Sequence, residues 1–141
     1  MKDISGFRIL VIFLFAVAAN AQAPSSPEQP TQSEHRAGPD GLEGWTLNEI
    51  IPDHPNERFP MTLVIARKGH VLRKIAGDGF VWNWIFWADG KQVAYESGPL
   101  HFGMACILAD VATGKRLASY DCFHGIPENA PAWLKALEKV Q

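Results

Sequence analysis

The side chains able to do chemistry in this 141-residue chain are few and scattered. The two cysteines are Cys106 and Cys122, and the five histidines are His35, His54, His70, His101 and His124. His101, Asp121 and His124 are the residues that could supply acid–base chemistry, with imidazole and carboxylate trading a proton. No G-x-S-x-G nucleophile motif accompanies them. The reading of these histidines is therefore local hydrogen bonding in loops. Cys106, Cys122 and His124 do not fall at a recognised metal-ligand spacing, so no metal is expected. Gly77-Asp78-Gly79 is a tight turn and not a phosphate loop, because no G-x-x-x-x-G-K-S/T follows. No cofactor is expected, and the chain does not read as an enzyme.

The cysteines leave two readings open. An oxidising compartment would favour a bridge. A regular hairpin in which Asp110 faces Lys115 sets Cys106 opposite Ser119 and turns Cys122 to the other face. One bulge restores the face but leaves the pair diagonal, about 7–8 Å apart at Cα, at the limit for a disulfide. The alternative is two small buried apolar side chains.

The aromatic residues are the other candidates. Phe80, Trp82, Trp84 and Phe86 alternate with Val81, Asn83, Ile85 and Trp87. Alternation places the first four on one face of a strand. Such a stripe can be a ligand platform, with Trp82 and Trp84 as contacts, but apolar faces are more commonly core. The natural cover from the sequence is a C-terminal helix from Ala130 or Pro131 to Val140, with Trp133, Leu137 and Val140 on one stripe. Arg67, Lys68, Arg73 and Lys74 read as solvated edge protection.

The elements that position these residues are short strands. Trp45–Ile51 reads as a weak first strand ending at Pro52, followed by a polar loop, 53–60. Three hairpins follow. Met61–Ala66 and His70–Ala76 turn at Lys68-Gly69. Phe80–Trp87 and Lys91–Ser97 turn at Asp89-Gly90, a strong hairpin signal because both residues tolerate positive φ. Phe102–Asp110 and Lys115–Tyr120 turn through Val111-Ala112-Thr113-Gly114. The two-residue turn at Asp89-Gly90 sets Phe86 opposite Val93 and Trp84 opposite Tyr95.

Asp89-Gly90-Lys91, Val93-Ala94-Tyr95, Ser97 and Asp110-Val111-Ala112-Thr113-Gly114-Lys115 together resemble one repeat of the WD40-like, TolB-type propeller family. The pattern there is a Pro-Asp-Gly-Lys turn, an Ile-Ala-Phe strand and an Asp-x-x-Thr-Gly turn. The resemblance covers about residues 80–118 and departs at Ala88, where the family has Pro, and at Trp87, where it has Ser. It implies a four-stranded blade used as a scaffold for binding proteins or peptides, with no catalytic residue to carry over. A ring needs 4 to 8 blades, and 97 residues from Trp45 onward hold two at most. The expected fold is thus mainly β: an antiparallel meander of about six short strands resembling one blade, with an amphipathic C-terminal helix packed on the sheet. Association of copies into a homodimer through an exposed face is the expected alternative to an isolated meander.

Upstream, residues 1–21 have the three parts of a secretory signal: Lys2 and Arg8, the apolar run Ile9–Ala19, and Ala19-Asn20-Ala21 for cleavage. The apolar run is short of the ~20 residues a span needs, so no stable membrane span is expected after cleavage. Residues 22–44, with Pro24, Pro27, Pro30 and Pro39 among serines and threonines, read as a disordered tether. Residues 45–141 are then one domain. The formal charge of −2 argues against a nucleic-acid partner. These features point to an exported, periplasmic or extracellular, non-catalytic module that binds or scaffolds a protein or envelope component. The alternative is a small-ligand binder or enzyme inhibitor using the Trp-rich strand or the 98–103 loop.

Overall fold

The computed structural model describes residues 28–99 and 101–140. The expected leader at 1–21 lies outside the described residues. The elements run β1 (Thr31–Gln32), β2 (Arg36–Ala37), a single 3-10 turn (Pro39–Gly41), β3 (Leu42–Ile51), β4 (His54–Arg67), β5 (His70–Ala76), β6 (Phe80–Trp87), β7 (Gln92–Gly98), β8 (Ala105–Asp110), β9 (Arg116–Asp121) and α1 (Ala132–Glu138). The protein is mainly β and antiparallel, as expected, with a short C-terminal helix packed on a sheet. Among the described residues no helix is long and apolar enough to cross a membrane.

There are two sheets rather than one meander. The first has the order β1-β3-β4-β5, with β2 also pairing β3, and the second has the order β6-β7-β8-β9. They lie face to face. Leu42, Leu63, Ile65 and Ile75 of the first sheet share a buried cluster with Val81, Trp84, Val93, Tyr95 and Ile107 of the second. The opposite face of the second sheet, through Ala94, Cys106 and Leu108, receives Trp133, Leu134 and Leu137 of α1. The order of layers is sheet, sheet, helix. This arrangement corrects the expected cover of the aromatic stripe. The first sheet covers Trp84, and the helix covers the Ile85 and Trp87 face. Trp133 and Leu137 do pack on the sheet, whereas Val140 lies beyond the helix and is exposed.

Three local readings change with it. Of the loop expected at 53–60, all but Asp53 is strand, with Phe59 buried against Phe80 and ring centroids 4.9 Å apart. Pro60 is tolerated there because it falls where the β3–β4 register shifts, between Leu47 opposite Thr62 and Asn48 opposite Pro60. A proline at a bulge forfeits no ladder bond. The tether expected over 22–44 does not extend through its described part. Residues 31–32 and 36–37 pair with β3, and β3 itself begins at Leu42. Between the two short strands, His35 stacks on Trp45 at 4.0 Å. Burying the Trp45 ring helps offset the chain entropy of this proline- and serine-rich segment. Finally, Arg73 does not simply face solvent. It is half-buried and donates to the carbonyls of Val111 (3.3 Å) and Ala112, tying β5 to the β8–β9 turn.

The hairpin chemistry follows the sequence closely. Lys68 and Gly69 both have positive φ, 48° and 80°, as a primed two-residue turn requires. Phe86 faces Val93 and Trp84 faces Tyr95. In the last turn, Asp110 Oδ1 accepts from the Thr113 amide (2.7 Å) and hydroxyl (2.8 Å).

Candidate functional site

The strand β6 carries eight residues without a charge or a proline, and it lies at an edge of its sheet. A register shift between Val81 and Trp84 marks a bulge at Trp82-Asn83. An extra residue reverses the alternation beyond it. Val81 and Trp84 therefore both point to the core between the sheets, and the four aromatic side chains do not share one face as expected. Beyond the bulge the strand is regular, with Ile85 and Trp87 toward the helix and Trp84 and Phe86 toward the first sheet.

Glycine makes room for both of these rings. An ideal Cβ on Gly44 would lie 2.6 Å from Cη2 of Trp84, and one on Gly38 would meet the Phe86 ring. The segment Arg36–Pro39 can therefore run alongside β6. Arg36 Nη1 donates to the Trp84 carbonyl at 3.1 Å, and its guanidinium lies 5.1 Å from the ring centroid of the same residue. A cation over an indole is favourable by about 0.5–2 kcal/mol.

Between this segment and β6 runs an open groove of about 520 Å³, within the size range of ligand sites. Its walls include Arg36, Pro39, Phe86, Trp87, Asp89 and Val140. It is aromatic at its base, with one guanidinium and one carboxylate at its rim. The backbone adds polarity. The Trp84 carbonyl faces the groove, so strand alternation turns the N–H and C=O of Phe86 the same way. Among the described residues, no backbone group pairs with them.

The residues singled out from sequence are distributed differently. Trp84 is 4 % exposed and belongs to the core, with its carbonyl turned to the groove. Trp82 is half-buried, lies edge-on to Phe80 and donates its indole N–H to the Gly98 carbonyl at 3.1 Å. His101 and His124 are exposed, and His124 has its ring against Phe123. Among the described residues no hydrogen bond or ion pair joins His101, Asp121 and His124. The acid–base constellation is thus not assembled. Among the described residues no three His, Cys, Asp or Glu side chains converge on a metal position.

Cys106 and Cys122 form a disulfide. A register shift between Leu108 and Ala109 sets Cys106 opposite Tyr120. Cys122 is then the diagonal neighbour, and the chain turns in just past β9 to bring the Cα atoms within 5.8 Å. The bridge fixes the segment that leads from β9 to α1.

At the end of the second sheet, the 98–103 loop borders a shallower depression of about 420 Å³ that includes Asp78, Pro99, Phe102 and Tyr120. Asp78 pairs bidentately with Arg116, at 2.6 and 2.7 Å. The hydrogen bond from Arg116 holds the Asp78 carboxyl below its ordinary range. Burial pushes the Tyr95 phenol up.

Phe86 and Trp87 lie on the Trp-rich strand that the sequence offers as a ligand platform, whereas Arg36, Asp89 and Val140 were not legible as site residues. The only signal near Arg36 was Pro39-Asp40-Gly41, a turn tripeptide that argues for order where composition argued for a tether. Compared with protein-family models, curated proteins and solved structures, the chain matches none of them.

Proposed function

We propose that this chain is an exported, non-catalytic binding module whose partner, a protein of the extracytoplasmic space or envelope, docks in the groove along β6. The groove carries this reading: an uncharged edge strand beside an aromatic trough and a guanidinium. Edge strands are ordinarily blunted by their own charges or prolines, and β6 has neither. The four-stranded run β6–β9, over the residues that resemble a propeller repeat, supports a scaffold role. The three-part leader pattern at 1–21 and the disulfide support export. A small-ligand reading is favoured by the same aromatic base, which could take a flat apolar group under Arg36.

The test is site-specific photo-crosslinking in the producing cell, with the reactive side chain placed at Asp89 or, as control, at Lys115. The proposal expects a discrete protein adduct from position 89 only, on a product whose N-terminus follows Ala21. No adduct from position 89, or the same adducts from both positions, refutes it.

A further inference from the structure

We infer that the occupant of the groove is an extended peptide segment that pairs with β6 as an added strand, carrying a carboxylate side chain for Arg36. This inference rests on the proposed binding function and goes on to name the chemistry of the partner.

Three observations point to a strand. The groove follows the free edge of β6, where the N–H and C=O of Phe86 face outward beside the Trp84 carbonyl. An antiparallel or parallel neighbour would use the Phe86 donor and acceptor together, and main-chain pairing of this kind provides affinity without demanding one sequence. The floor beneath is apolar on both sides of the strand, Phe86 on one and Trp87 on the other, so alternate side chains of an added strand would each meet an aromatic ring. Among the described residues, Arg36 commits one of its five donors, to the Trp84 carbonyl. The remaining donors suit an incoming carboxylate, a charge-assisted contact.

The groove also sets limits on its occupant. Asp89 lies in the turn after β6, five residues on from Trp84. At roughly 3.3 Å per residue, a peptide whose acidic side chain meets Arg36 would present a basic or amide group to Asp89 about five positions away. A second copy of this chain fits poorly. The Arg36–Pro39 segment stands beside β6 in each copy, and the two walls would keep two β6 edges from reaching strand spacing. A single extended segment brings no second wall of this kind.

The probe is a displayed library of linear dodecapeptides, panned against the mature oxidised chain. The expected result is enrichment of peptides that carry an acidic residue. A synthetic copy of the leading peptide should shift the amide resonances of Trp84, Phe86 and Ala88. N-methylation of its alternate amides should weaken binding at least tenfold, since this removes the pairing N–H groups but keeps the side chains. Arg36→Ala should abolish the preference for the acidic peptide over its amide analogue. Binding that survives N-methylation of either alternate set overturns the strand inference but leaves the groove a binding site. So does a groove that takes only small aromatic compounds. Concentration-dependent self-association through β6 overturns it in favour of a second copy. No enrichment at all, or resonance shifts confined to residues 98–103, overturns it as well. The crosslinking result at Asp89 stands apart from each of these.

Discussion

Gly44 is a point of close approach between the two sheets, so adding a methyl group there is a measure of the packing. Gly44 faces the core, opposite Ile65 in the ladder, and a Cβ added to it would lie 2.6, 2.9 and 3.3 Å from three atoms of the Trp84 six-membered ring. Trp84 is 4 % exposed and cannot swing into solvent without leaving the core. Overpacking of this kind costs about 1–3 kcal/mol. Alanine recovers about 0.5–1 kcal/mol of the backbone entropy that glycine loses in a strand. Gly44→Ala should therefore destabilise the protein by roughly 1–2 kcal/mol. Trp84→Phe vacates much of the space the new methyl group needs. The double variant should then be more stable than the sum of the singles by about 1 kcal/mol or more, within the range for residues in contact. Urea unfolding of the oxidised protein, read as a change in midpoint at constant slope, gives all four stabilities. Additivity within about 0.5 kcal/mol would mean that Gly44 and Trp84 do not touch, and the face-to-face arrangement of the sheets would be refuted.

Other outcomes follow from the same packing. Reducing the Cys106–Cys122 bridge, which closes a loop of sequence separation 16, should cost about 3 kcal/mol by chain entropy, and thermal unfolding with and without reductant reads the loss. Leu137→Ala, at a fully buried helix position, should cost about 2–5 kcal/mol. It should also speed proteolysis of the segment after Cys122 before that of β3 to β5, as followed by mass spectrometry of the fragments. The folded Asp78 carboxyl titrates below its ordinary value of 3.8 because Arg116 hydrogen-bonds it. Its contribution is therefore present above that value and lost as the pH falls through the lower folded value. Asp78→Asn should flatten stability against pH only below about pH 4, by under about 1 kcal/mol because the pair is exposed; unchanged pH dependence would contradict the pairing.

What the sequence disclosed was local. The Lys68-Gly69 and Asp89-Gly90 turns, the pairing of Phe86 with Val93 and the stripe of Trp133 and Leu137 all rest on interactions between near neighbours, and turn chemistry or periodicity reports them directly. The misreadings came from contacts distant in sequence. Residues 54–60 carry Pro55 and Pro60 among His54, Asn56, Glu57 and Arg58, and they read as loop until β3 is placed beside them. Arg36 read as tether because its reason for order, the Trp84 carbonyl, is 48 residues away. The bulge at Trp82-Asn83 left no mark in the alternation, yet it decides which aromatic rings become core and which line the groove. The cysteine pairing stayed open for the same reason. It turns on a single extra residue opposite Leu108 and Ala109, and composition is silent on that.

The free edge of β6 is the feature on which the binding account depends, and residue-resolved amide hydrogen exchange in the unliganded protein tests it most directly. Ile85 and Trp87 turn their amides toward β7, whereas the Phe86 amide faces the groove. The account predicts slow exchange at Ile85 and Trp87 and exchange at least a hundredfold faster at Phe86 between them. Equal protection at all three would show that the edge is already occupied, and would contradict the account.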